Sequence, residues 1–193
     1  MGKFDLAQDF TAKWEGGLSD DAADKGGLTH YGVCLAFLSD TASTLKNRQW
    51  LMDIGVHPLP VTRETIRNLT RTQAREIFKR EFWDRLSLDD LPVQMGVLLY
   101  DAAVNSGCGQ SVRLAQRGYN TAAVGTSLDV DGKLGPLTRK ALTDHNTKDV
   151  RQAILDAREV FYRQLVAHNA SQKVFLRGWL NRVEDLRKYV ETL

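Results

Sequence analysis

Two carboxylates near the start of the chain have the types and the spacing for acid–base work. Glu15 follows Trp14 and precedes Gly16-Gly17, and Asp24 stands beside Lys25 and Gly26-Gly27, with Thr29, His30 and Tyr31 leaving that second glycine pair. Phe4, Ala7, Phe10 and Trp14 recur every three or four residues, which predicts an amphipathic helix stopped by Gly16-Gly17. Glu15 is then expected on the last turn of that helix. There the helix dipole and any burial both disfavour the ionised carboxylate, and a carboxyl group still protonated near neutrality is what a general acid needs. Asp24 lies in a polar loop, an environment that keeps a carboxylate ionised. Two carboxylates in contrasting environments are the pattern used in glycoside hydrolysis. Glycines, lacking Cβ, let a large substrate approach the backbone. The same residues are also compatible with a solvated helix end at Glu15 and an Asx turn at Asp24.

The elements that must hold these groups are mostly helical. Residues 18–33 read as a loop or short hairpin, and the apolar runs Val33–Leu38 and Trp50–Ile54 as weak helical patches. Thr70 and Gln73 have the capping-box pattern and open a helix carrying Ala74, Ile77, Phe78 and Phe82 on one side. Pro92 marks a break, after which Met95, Leu98, Leu99 and Ala102 predict a buried helix ending at Gly107. Val112, Ala115 and Tyr119 continue helically to a loop over residues 121–135. Gly135-Pro136 places proline at its tolerated first helical position. Val150, Ile154, Phe161 and Leu165 line a long helix; Leu180, Val183 and Val190 line the last one. The expected fold is mostly α, with a small irregular or β element near residues 18–33.

With the residues set out, a resemblance emerges. Trp14-Glu15-Gly16-Gly17 and Asp24-Lys25-Gly26-Gly27-Leu28-Thr29-His30-Tyr31-Gly32-Val33 resemble the signature of the glycoside hydrolase family 108 N-acetylmuramidases. These are lysozyme-like endolysins and secretion-associated muramidases. Phe82-Trp83-Asp84, the run from Tyr100 to Gly107 and Arg177-Gly178-Trp179-Leu180-Asn181-Arg182-Val183 continue the likeness in order along nearly the whole chain. The resemblance implies a lysozyme-like helical fold and Glu15 as the catalytic acid, with Asp24 and Thr29 as candidate catalytic partners. His30, Tyr31, Asp101 and Asn105 are candidate substrate-binding residues, although Asp101 and Asn105 are equally suited to capping a neighbouring loop. Two positions depart from the family: Lys25 stands where it often has proline, and His30 where Asn or Lys is common. Glu15, Asp24 and Thr29 are also spaced like the triad of phage-type lysozymes, with one residue fewer before the threonine.

The part from about Pro92 resembles the peptidoglycan-binding module that follows the catalytic region in this family, through Val130-Asp131-Gly132 and Gly135-Pro136-Leu137-Thr138. The expected organisation is a catalytic region over residues 1–91 and a helical peptidoglycan-binding region over residues 92–193. Calcium is not expected at Asp129-Val130-Asp131-Gly132, because Lys140 occupies the position where an EF-hand needs its glutamate.

Composition narrows the alternatives. The 193 residues are 42% apolar and 26% charged with four prolines, which excludes collagen-like and disordered classes. The net charge of +2 gives no general argument for nucleic acid. Charge is uneven, at −3 over residues 1–60 and +3 over residues 151–193. Cys34 and Cys108 are too few and too far apart for a disulfide framework or a zinc ribbon. His30, His57, His145 and His168 are isolated, so a zinc amidase has little support, and neither metal nor cofactor is expected. Cys34 lies in an apolar run that suits a packed thiol better than a nucleophile. Arg71, Arg75, Lys79 and Arg80 interleave with acids as a solvated face. No signal peptide and no membrane span are read from the sequence. The resemblance implies bacterial peptidoglycan as the partner, and the expected protein is a monomer made in the cytoplasm. A holin-type lesion or an export route would take it to the wall, as for a phage or prophage endolysin. The competing expectation is a wall-binding or secretion-associated module of the same fold without catalysis.

Overall fold

A computed structural model describes residues 1–16 and 28–193. Asp24 and most of the glycine-rich loop therefore lie outside the described residues. The chain forms two compact units, residues 11–80 and residues 1–10 with 81–193. This partition does not coincide with the expected division between residues 91 and 92. Helix α1 (Lys3–Thr11) supplies the reason, because its apolar side packs in the same unit as the later helices. The Phe4 and Tyr100 rings pack edge to face with centroids 5.7 Å apart, and the Tyr100 hydroxyl donates to Gln8 Oε1.

In the unit of residues 11–80, β1 (Thr29–His30) pairs antiparallel with β2 (Val33–Cys34). Four short helices follow: α2 (Leu35–Thr41), α3 (Leu45–Asp53), α4 (Arg63–Arg67) and α5 (Arg71–Phe78). The apolar run expected to be helical from Val33 divides at Cys34. Cys34 ends the strand in an extended conformation, and its Sγ accepts from the Phe37 amide at 3.4 Å to cap α2. A short apolar run has no period of its own to choose between strand and helix. Thr70 and Gln73 exchange both capping-box bonds, at 3.2 and 2.8 Å. Thr62 and Thr65 form a second such box that starts α4.

The other unit is a helical bundle: α6 (Val93–Ser106), α7 (Cys108–Ala122), α8 (Pro136–Asp144), α9 (Lys148–His168) and α10 (Lys173–Val190). Helix α6 is buried continuously from Met95 to Ala103, as its sequence predicts. Helix α9 packs on both α7 and α10. Trp83 is wholly buried beside Phe4 and Tyr100, which makes it core. Cys34 and Cys108 are free thiols. No helix of the described residues is long and apolar enough to cross a membrane.

Candidate active site

Glu15 is held by the end of α1 and by the hairpin. Helix α1 ends at Thr11, earlier than its apolar spacing predicts, and the chain turns through residues 12–14. The turn still hangs on the helix: the amides of Trp14 and Glu15 both donate to the Thr11 carbonyl oxygen, at 2.9 and 3.3 Å. Glu15 thus lies beyond the last helical turn. Because helix-terminus effects fall off within that turn, the dipole argument loses weight and local packing has to carry more.

That packing comes from Tyr31-Gly32, the two-residue turn between β1 and β2. His30 faces Val33 and Thr29 faces Cys34 across the ladder. Tyr31 and Gly32 have φ of 49° and 79°, the left-handed pair that a tight hairpin turn of matching twist requires. A Cβ placed on Gly32 would stand 3.0 Å from both Cβ and Oε2 of Glu15 and 2.9 Å from Phe78 Cζ. Only a glycine lets the hairpin backbone come this close to the carboxylate. A Cβ on Gly16, next in the chain, would meet none of the described residues within 4 Å. Glu15 itself is partly buried. A half-covered carboxyl group can deliver a proton to a bound oxygen.

The rest of the hairpin presents polar and planar groups. His30 Nδ1 donates to the Ile66 carbonyl oxygen at 3.1 Å, and the His30 ring stacks on Tyr31 at 4.0 Å between centroids. The Arg71 guanidinium lies 5.5 Å from the Tyr31 ring centroid. Thr29 is half-buried on β1. Glu15 and the Tyr31-Gly32 turn are therefore brought together, with Thr29 and His30 on the strand leading into that turn.

Asp101 and Asn105 belong to the other unit, and their placements differ. Asp101 is wholly buried, and its carboxylate accepts from Arg158 Nη1 at 2.7 Å and from Arg182 Nε and Nη2 at 2.8 to 3.1 Å. Burial works to raise its pKa, but Arg182 and then Arg158 outweigh it and hold the carboxyl at about 2. This corrects the expectation that Asp101 meets substrate: it ties α6 to α9 and α10 and has no surface to offer. Asn105 is exposed one turn later. Arg158 Nε donates to the Tyr162 hydroxyl at 2.8 Å, which donates to Asn105 Oδ1 at 2.5 Å. Ser106 Oγ also donates to that oxygen, at 3.0 Å. With Oδ1 engaged as an acceptor, the exposed amide has its NH₂ left as the hydrogen-bonding end. Trp179 stacks on Tyr162 at 5.0 Å, and the half-exposed Phe175 on Trp179 at 5.8 Å.

Arg158, Tyr162 and Arg182 were not singled out from sequence, although a signal exists. Arg158 follows Val150 and Ile154 at four-residue spacing, and Arg182 precedes Leu186 and Val190 in the same way. An arginine in an apolar stripe needs a buried counter-charge, and Asp101 within apolar α6 supplies it. Gln116 is another. Its buried amide donates to Asp131 Oδ1 at 2.9 Å, Lys133 O at 3.3 Å and Thr138 Oγ1 at 3.2 Å, and accepts from the Gly132 amide at 3.0 Å. The Asp131-Gly132 turn is therefore fastened inward. The Gln116 amide, followed by the Lys133 backbone N–H, holds the Asp131 carboxyl below the usual range.

The model of the glycosyl hydrolase 108 family matches residues 8–107, and that of the family described as Predicted Peptidoglycan domain matches residues 110–184. Among solved structures, the chain is similar to the structure of Brucella abortus SagA, at 25% sequence identity and a TM-score of 0.75. That likeness covers 98% of this chain and 94% of the other. No curated protein matches the chain. The first family match spans more than half of the residues and contains Glu15, the hairpin and α6. The chain belongs to the glycosyl hydrolase 108 family and is a glycoside hydrolase of mostly α, lysozyme-like fold with a C-terminal peptidoglycan-domain segment.

Proposed function

We propose that this glycoside hydrolase is an N-acetylmuramidase, cleaving the β-1,4 bond between N-acetylmuramic acid and N-acetylglucosamine in peptidoglycan. The observation that carries the reading is the close seating of the partly buried Glu15 carboxyl against the Gly32 backbone, within the segment that matches the glycosyl hydrolase model. Glu15 gives its proton to the glycosidic oxygen as the bond to C1 breaks, and positive charge develops on the muramoyl ring. Asp24 is the second carboxylate, stabilising that charge or orienting water, and Thr29 positions the water. His30 and Tyr31 form a planar edge for the sugar, and Asn105 offers its NH₂ to a hydroxyl or N-acetyl oxygen. The enzyme acts on the wall after release or export from the cytoplasm, as an endolysin does.

Release of dye-labelled fragments from purified sacculi tests the assignment. Wild type releases label, and Glu15→Gln, which has no proton to give, loses roughly a hundredfold or more. Equal release by the two proteins overturns Glu15 as the acid. Wall binding with no release by either makes the chain a binding module.

A further inference from the structure

The segment matching the peptidoglycan domain carries a groove that the residues above do not use. It lies between α7 and α9, encloses about 550 Å³, and its lining residues all fall within residues 110–184. That volume is in the range of small-ligand sites. Its origin is a glycine: a Cβ on Gly118 would collide with the Ile154 backbone, so α7 and α9 meet backbone to backbone. Ala153 and Ala157, one turn apart on α9, then form a floor of methyl groups. Asn120 pins the loop after α7 through two 2.8 Å bonds with Leu128, one given and one accepted, and Val130 joins Val160 among the lining residues. Val160 is 52% exposed and presents apolar surface to the groove.

The groove also carries charge. Arg117 is exposed on its wall and has no ion-pair partner among the described residues. Asp156, a carboxylate in the lining, is already held by Arg187 at 2.9 Å. With Asp156 engaged, the lining offers the Arg117 cation and the polar Thr121 and Gln164 beside a strip of small apolar groups. Among the described lining residues none is aromatic, so the flat faces that suit pyranose rings are lacking.

We propose that this groove binds the stem peptide of peptidoglycan, with alanine methyl groups against Ala153, Ala157 and Val160 and a free peptide carboxylate paired with Arg117. The inference rests on the reading that peptidoglycan is the substrate, and it assigns the peptide rather than the glycan to this face. Arginine suits the task because its planar fork meets a carboxylate through two parallel bonds.

Titration of the full chain with a disaccharide-tetrapeptide and with the same disaccharide stripped of its peptide tests the proposal. The expected result is tighter binding of the first ligand than of the second, with that excess weakened roughly tenfold by Arg117→Ala, the loss of about one charge-assisted contact. Ala157→Trp fills the floor and abolishes binding; should it fail to fold, Val160→Glu on the exposed side is expected to weaken binding by repelling the carboxylate. Equal binding of the two ligands, or unchanged binding by Arg117→Ala and a folded groove variant, overturns the proposal. Fragment release from sacculi is scored on the same preparations. Release without a peptide-dependent groove leaves the muramidase reading standing alone, and peptide binding through Arg117 without release does the reverse.

Discussion

The Gly32 backbone stands so close to Glu15 that a Cβ there would fall 3.0 Å from the carboxylate oxygen Oε2. The hairpin turn and the acid are therefore one unit of structure, and Gly32 is required twice: for its φ of 79° and for the space.

Gly32→Ala is expected to destabilise the protein by about 1–3 kcal/mol, the cost of a strained left-handed residue. It also pushes the Glu15 side chain from its seat, so activity falls in the fraction that remains folded. Gly16→Ala adds a methyl group that meets none of the described residues within 4 Å, and is expected to leave stability within about 0.5 kcal/mol of wild type. Urea unfolding and sacculus hydrolysis on both variants check the contrast.

Asp101 makes acid stability predictable in sign. Its carboxyl is held at about 2 in the folded protein against an ordinary 3.8. A depressed carboxylate stabilises the fold above its unfolded pKa, and that contribution is lost as pH falls through the folded value. Roughly 2 kcal/mol should therefore disappear between about pH 4 and pH 2. Asp101→Asn removes this pH-dependent part and leaves two buried guanidinium groups uncompensated, costing about 3–5 kcal/mol at neutral pH. Denaturant melts at a series of pH values measure both effects.

Tyr162 links the buried ion cluster to exposed Asn105 through a single hydroxyl. Tyr162→Phe keeps the ring on Trp179 and removes the hydroxyl, for a stability loss of about 1 kcal/mol. If Asn105 holds the saccharide, KM rises while kcat stays close to wild type, and Asn105→Ala shows the same split. Steady-state kinetics on soluble glycan strands read it.

Gln116→Ala should loosen the Asp131-Gly132 turn, whose backbone it fastens from within. The loss is expected at about 1–3 kcal/mol, because buried partners are left unsatisfied. Gly132 and Lys133 amides should exchange faster with solvent, and the Asp131 carboxyl should titrate closer to its ordinary range. NMR exchange and pH titration report on each.

Where one local rule acts alone, the sequence is legible. The Thr70–Gln73 box, Pro136 opening α8 and the run from Pro92 to Gly107 all fall where capping and periodicity put them. Legibility fails where tertiary contacts decide. Periodicity carries α1 to Trp14, yet the chain turns after Thr11, with Trp14 and Glu15 both bonded to its carbonyl. Helix α4 is five residues long, too short to show a period, and only the Thr62–Thr65 box announces it. Motif position places Asp101 beside substrate, whereas its burial depends on Arg158 and Arg182, which lie 57 and 81 residues away in the chain. The motif around Glu15 makes it the candidate acid; its contact with Gly32 cannot be read there, because a hairpin 17 residues on supplies it.

In the proposed reaction Glu15 protonates the bond on the muramic acid side. Purified peptidoglycan digested by wild type and by Glu15→Gln, reduced with borohydride and analysed by mass spectrometry, tests it most directly. New reduced N-acetylmuramic acid ends are expected with wild type and none with Glu15→Gln. New reduced N-acetylglucosamine ends, or muramic acid ends produced equally by both proteins, would contradict it.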